Sequence, residues 1–202
     1  MIAIVDYGVG NLFSLNSSLA AIGAESVVTS DPKVLAAADK ILLPGVGAFG
    51  DAAKKLRETG LAEVLKTEAK KGKPLMGICL GMQMLFDKSF EYGEHEGLGL
   101  IPGNVRPIAD VIPASYKIPH IGWNALHFKD NHPLFSKINE GDCVYFVHSF
   151  YAADCADSVI ATAEYGPELT AAVAKGNVMG CQFHPEKSGA VGLAILQAFA
   201  EM

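Results

Sequence analysis

The sequence predicts an α/β fold: a largely parallel central sheet with helices on both faces and additional β-hairpins in the C-terminal half. Three observations carry this expectation. As far as about Gly93, short continuous apolar runs alternate with stretches of helical period, the pattern of strands buried beneath crossover helices on both faces. Beyond that point the pattern changes to short β-prone runs. Between the two halves, the pentapeptide Gly77-Ile78-Cys79-Leu80-Gly81 follows the apolar Pro74-Leu75-Met76 and precedes Met82-Gln83-Met84-Leu85-Phe86. It reads as strand, sharp turn and helix with a cysteine at the apex.

Ile2 to Val5 is a short apolar run ending in the glycine-bearing turn Asp6 to Asn11, and so a buried strand. Leu12, Leu15, Leu19 and Ile22 then recur at helical spacing, and Gly23 supplies a stop. Val27-Val28 marks a second strand, and Asp31-Pro32 opens a short helix as N-cap and first residue. Ile41-Leu42-Leu43 is a third buried strand, which turns at Pro44-Gly45-Val46-Gly47. Amphipathic helices around Ala52 to Glu58 and Leu61 to Lys71 lead to the elbow strand, Pro74 to Ile78. The later β-prone runs are Ala125 to Phe128, Cys143 to Tyr151, Ser158 to Glu164, Ala171 to Ala174 and Val178 to Phe183. A last helix, Ala190 to Phe199, carries Val191, Ile195 and Phe199 on one stripe.

With 202 residues and 50% apolar composition, the chain can bury a full core, and its length fits one domain over residues 1–202. The net charge of −6 is scattered, which leaves no footprint for nucleic acid and no polybasic membrane patch. Cys79, Cys143, Cys155 and Cys181 show neither CxxC pairing nor metal-ligand spacing, so reduced thiols and no metal are expected. Met1-Ile2-Ala3-Ile4-Val5-Asp6 has no basic region and too short an apolar run for a signal peptide or membrane span, so a cytoplasmic location is expected.

A lone cysteine is usually a small buried hydrophobe. The elbow alters that expectation for Cys79. Flanking glycines let the backbone turn tightly enough to lift a reactive side chain above the sheet edge, and the N-terminus of the following helix favours the thiolate. Far downstream, Gly180-Cys181-Gln182-Phe183-His184-Pro185-Glu186 ends an apolar stretch with a His and a Glu two positions apart. Pro185 cannot donate to a sheet ladder, which places the segment at a strand end. In extended chain, residues i and i+2 point the same way, so Glu186 would hold His184 in the tautomer that takes a proton from Cys79. Alone, His-Pro-Glu reads as a solvated turn. With the elbow it completes the nucleophile, base and orienter of an acyl-transfer triad.

Such a site needs two oxyanion donors. One is normally the N–H after the nucleophile, here Leu80, and the Pro44 to Gly47 turn at the same rim is placed to give the other. The cleft is expected outside the carboxyl ends of the parallel strands. The Asp6 to Asn11 turn lacks both the G-x-G-x-x-G spacing and a P-loop lysine, so nucleotide binding is not expected there. Thiolate, imidazole and two backbone donors suffice for acyl transfer, and no cofactor is expected.

The elbow with Gln83, the Pro44 to Gly47 turn and His184-Pro185-Glu186 together resemble the triad glutamine amidotransferases, a family of flavodoxin-like glutaminase domains. Further segments resemble the glutaminase subunits of imidazole glycerol phosphate synthases: Tyr7 to Leu12, Pro44 to Asp51, Gly97 to Gly103, Pro119 to Asn124, Val147-His148-Ser149 and Phe183 to Ser188. The resemblance spans nearly the whole chain. It implies that Cys79 attacks the side-chain carboxamide of L-glutamine, that His184 is the acid and base, and that Glu186 orients it. It further implies Leu80 and Val46 as oxyanion donors, and Gly47, Gln83, His148 and Ser149 beside bound glutamine. Ammonia would pass to a (β/α)8-barrel cyclase subunit, with Asn11, Trp123 and Lys187 at the interface. A γ-glutamyl hydrolase or another synthase's glutaminase shares the elbow, but Gly97 to Gly103 and Pro119 to Asn124 argue against both. An intact Cys79, His184 and Glu186 argues against an inactive scaffold.

Overall fold

A computed structural model describes residues 1–202. The N-terminal half alternates as expected: β1 (Ile2–Val5), α1 (Leu12–Ala21), β2 (Ser26–Thr29), α2 (Pro32–Ala37), β3 (Lys40–Gly45), α3 (Phe49–Glu58), α4 (Leu61–Lys70), β4 (Leu75–Cys79) and α5 (Leu80–Gln83). At the start of α2, the Asp31 carboxylate accepts from Lys33 N–H at 2.8 Å, and Pro32 occupies the first turn, where its missing N–H costs nothing. Within β1, Ile2 and Ile4 join one core cluster while Ala3 and Val5 join the other, the alternation that a strand imposes. The first cluster packs Leu15 and Leu19 of α1 and Ile195, Leu196 and Phe199 of the last helix. The second packs Leu35 of α2, Phe49 and Leu56 of α3, and Leu61 and Leu65 of α4. Helices therefore cover both faces.

The C-terminal half contributes short strands to three sheets. They are β5 (Lys88–Ser89), β6 (His95–Glu96), β7 (Asn104–Pro107), β8 (His120–Ala125), β9 (His127–Phe128), β10 (Cys143–His148), β11 (Phe150–Ala153), β12 (Val159–Glu164), β13 (Glu168–Lys175) and β14 (Val178–Cys181). Helix α6 (Gly189–Glu201) closes the chain. The main sheet has eight strands in the order β2-β1-β3-β4-β14-β13-β12-β9. It is parallel from β2 to β14 and antiparallel beyond. Strands β8 and β10 form a separate antiparallel pair, and β11-β7-β5-β6 form a third sheet. No helix is long and apolar enough to cross a membrane.

Several boundaries differ from the sequence expectation. The run Cys143 to Tyr151 is two strands, because the chain leaves the β8 pair at Ser149 and β11 joins β7 instead. The run Ala125 to Phe128 breaks at the fully buried Leu126: the residues before it extend back to His120 and pair with β10, while the two after it pair with β12. The elbow helix is a single turn. Leu98, Leu100 and Ile101 donate to the carbonyls of Met84 and Leu85, so the following loop takes the place of further helix. Strand β14 stops at Cys181 rather than Phe183.

Candidate active site

The elbow forms because two backbones must come very close. Gly45 pairs with Cys79 in the parallel register of β3 and β4. A Cβ on Gly81 would collide with the Leu43 carbonyl oxygen, and one on Gly77 would strike the Gly81 backbone. Only glycine fits at either position. Between them Cys79 adopts φ 55° and ψ −113°, a left-handed conformation that costs a non-glycine residue energy and is characteristic of a nucleophile elbow. Its thiol stands at the top of β4, 8% exposed, beside the N–H of Leu80, the first residue of α5. The turn after β3 runs alongside, with Gly47 at φ 90° and Val46 exposed at the rim.

His184 follows β14, the parallel neighbour of β4, and so reaches the same rim. Its backbone is anchored on both sides: His184 N–H donates to Tyr145 O at 3.0 Å, and Ser188 Oγ donates to His184 O at 2.7 Å. The imidazole Nδ1 lies 2.8 Å from Glu186 Oε1, with both side chains only 3% exposed. Here the geometry differs from the expectation. Pro185–Lys187 is a 3-10 turn rather than extended chain, closed by Lys187 N–H to His184 O at 3.0 Å. The carboxylate therefore reaches the ring from a turn rather than along a strand. The other carboxylate oxygen, Oε2, has no partner. Burial pulls the His184 imidazole down, but hydrogen bonds to Cys79 and Glu186 and their negative charges outweigh it and raise the ring to about 9. The arrangement favours an imidazolium at His184.

Above the thiol opens a cavity of about 390 Å³. Val46, Gly47, Cys79, Leu80, Gln83, His148, Ser149, His184 and Lys187 all line it. Glu186 lies behind His184 and does not. At the end of β10, His148 Nδ1–H donates to Phe150 O at 2.8 Å, and its Nε2 lies 2.9 Å from His120 Nδ1. Burial pushes His148 down to about 4, so at neutral pH its ring is uncharged and carries its proton on Nδ1, toward Phe150 O. The three residues expected at an interface lie around this rim. Lys187 and Trp123 both lie 5.9 Å from the Tyr145 ring. Asn11 precedes α1, next to Gly10, whose Cα would bring a side chain against Pro44.

The sequence reading missed Glu91 and Gln182. Glu91 lines the cavity, and its Oε2 accepts from Phe49 N–H at the start of α3 at 2.9 Å. Burial raises its carboxyl above the usual range. It sits in a loop between short strands, where no periodicity or motif marks it. Gln182 is fully buried inside the apolar run before His184, where it passes for a strand residue.

Comparisons with known proteins identify relatives of the chain. The family described as "Glutamine amidotransferase class-I" matches residues 3–201. The chain is 50% identical to the imidazole glycerol phosphate synthase subunit HisH of Caldanaerobacter subterraneus subsp. tengcongensis, over 100% of this chain and 98% of that one. It is also 50% identical to the HisH subunit of a Bacillus cereus strain, covering 98% and 93% respectively. Among solved structures, a glutamine amidotransferase superposes with a TM-score of 0.78 at 20% identity, over 100% of this chain and 98% of the other. PurLQS from Thermotoga maritima superposes at 0.75 and 24% identity, over 99% and 97%. At these identities the two structures speak for the fold alone.

Proposed function

Since the chain belongs to the class-I glutamine amidotransferases, and within them to the HisH subunits of imidazole glycerol phosphate synthase, we propose that Cys79, His184 and Glu186 are its catalytic triad and that the cavity above them takes L-glutamine. The chain is the glutamine amidotransferase subunit of an enzyme of histidine biosynthesis. The observation that carries the triad is the buried 2.8 Å contact of His184 with Glu186 at the foot of a cavity whose floor is Cys79.

In this reading the Cys79 thiolate attacks the carboxamide carbon of glutamine, and the developing oxyanion is held by the N–H groups of Leu80 and Val46. His184, protonated, gives its proton to the departing amine, and ammonia leaves. Deprotonated, it then draws a proton from water, which attacks the glutamyl thioester and releases glutamate. Glu186 fixes the ring with Nδ1–H toward itself and Nε2 toward sulfur. Gly47, Gln83, His148 and Ser149 shape the substrate wall. Glu91 is a buried carboxyl group in the cavity wall, which supports it as the group that would meet the substrate's ammonium. No group in this scheme calls for a metal or cofactor.

The partner in this reading is a (β/α)8-barrel cyclase subunit that consumes the ammonia to form imidazole glycerol phosphate and an aminoimidazole carboxamide ribotide. Apolar side chains exposed at and near the rim support a docking face: Phe13 at 83%, Ile121 at 58% and Trp123 at 55%. Asn11, Trp123 and Lys187 would lie in it. A closed passage keeps ammonia unprotonated and nucleophilic, which free water does not. The free cysteines suit a reducing cytoplasm, and residues 1–202 suit a single glutaminase domain.

The test is acid quenching during turnover with glutamine, followed by mass spectrometry of peptides. A glutamyl adduct on the Cys79 peptide is expected. Glutamate release with the adduct on another residue, or with none, would overturn the triad.

A further inference from the structure

The polar chain that ends on the nucleophile contains a residue to which the acyl-transfer scheme gives no part. Phe150 O is a carbonyl and accepts only. Two donors converge on it: His148 Nδ1–H at 2.8 Å and Gln83 Nε2 at 3.2 Å. The carbonyl therefore fixes which way the Gln83 amide faces, since the flipped amide would set two acceptors against each other. The same Gln83 nitrogen donates its second proton to Gln182 Oε1 at 3.0 Å. With its oxygen engaged, Gln182 has its Nε2 turned the other way, where it lies 3.7 Å from Cys79 Sγ. The backbone is held too, by Gln182 N–H to Ala171 O at 2.8 Å, and the side chain is fully buried. Each amide orientation follows from the one before it, back to a group that cannot reverse.

We propose that Gln182 is a positioning residue for the nucleophile: its side-chain N–H donates to the Cys79 sulfur, holding the thiolate form and aiming it, from the side opposite the substrate. The proposal rests on Cys79 being the nucleophile. An N–H donor at this place favours negative sulfur over neutral thiol without adding a charge. An amide suits the task better than a lysine would, because a second cation beside the His184 imidazolium would repel it. Gln182 does not line the cavity, whereas Gln83 does. It therefore acts through Cys79 and has no contact with glutamine.

The test is Gln182→Met in the full chain. Methionine is unbranched, fills nearly the same volume and brings no N–H, and Gln83 keeps its bond to Phe150 O. Alkylation by iodoacetamide is followed as a function of pH, with the Cys79 peptide resolved from those of Cys143, Cys155 and Cys181. One hydrogen bond of modest length predicts that the alkylation profile of Cys79 moves up by about one pH unit, with about a ten-fold slower rate at neutral pH. Glutaminase kcat should fall by a similar factor at neutral pH and recover at higher pH, with KM unchanged. Gln182→Glu is the second variant, and should suppress alkylation further because a carboxylate replaces the donor. A profile that does not move in a folded Gln182→Met protein overturns the proposal and leaves the triad standing. If both variants unfold, Gln83→Leu, which frees the Gln182 amide to flip, must slow alkylation of Cys79 in the same direction, and an unchanged rate there overturns the proposal equally. If wild-type Cys79 resists alkylation while its replacement spares glutaminase activity, it is the triad that fails.

Discussion

Glu186 illustrates what single residues contribute. It touches no substrate, yet its carboxylate is one of two negative partners that hold His184 near 9 against the pull of burial. The sign follows directly. A raised imidazole stays protonated up to about that pH, so on the proposed triad the general acid for ammonia release is present below it and lost above it. Glutamine turnover should therefore fall as pH rises through about 9. In Glu186→Gln, with one anion removed, that basic limb should move toward the ordinary histidine value, and kcat should fall by up to about 10⁴-fold as tautomer control is lost. A pH profile of kcat/KM checks both; a lower rate with the limb in place would make Glu186 a merely structural residue. At this scale Cys79, His184 and Glu186 of the proposed triad stood out in the sequence because each sits in a short local motif. Glu91 and Gln182 did not, since a loop carboxylate and a glutamine in an apolar run acquire meaning only from partners distant in sequence, Phe49 and Cys79.

At the scale of elements, the site depends on how closely β3 approaches the start of α5. Gly81 is the tightest point, where any Cβ meets the Leu43 carbonyl and the Pro44 backbone. Backbone cannot yield as a flexible side chain does. Gly81→Ala should therefore cost about 3 kcal/mol, the upper end of the overpacking range, and lower the denaturant midpoint at unchanged m-value. A variant as stable as wild type would show that the two strands are free to part. The parallel strands were readable because each is a continuous apolar run bounded by turn residues. Of the short strands from Lys88 to Ala153, β5, β6 and β7 left no run in the sequence, and β10 and β11 read as one run because they follow each other with one residue between them and yet serve different sheets. Pairing over such distances leaves no local period. The same lack of local signal hid the 3-10 turn that brings Glu186 to His184, since His-Pro-Glu is equally compatible with extended chain.

In the whole molecule, the parallel part of the main sheet brings the turn after β3, Cys79 at the end of β4 and His184 after β14 to one rim, where the proposed function needs an oxyanion turn, a nucleophile and a base. The rim is also where the apolar side chains that suit a partner are exposed. The central claim is that this chain makes ammonia and another subunit uses it. Replacing the nucleophile separates the two. The decisive measurement is synthesis of imidazole glycerol phosphate by the complex of Cys79→Ala with the cyclase subunit, once with glutamine and once with added ammonium as the nitrogen source. Glutamine-dependent synthesis should be abolished while ammonium-dependent synthesis continues at the wild-type rate. Equal loss with both sources, or undiminished synthesis from glutamine, would contradict it.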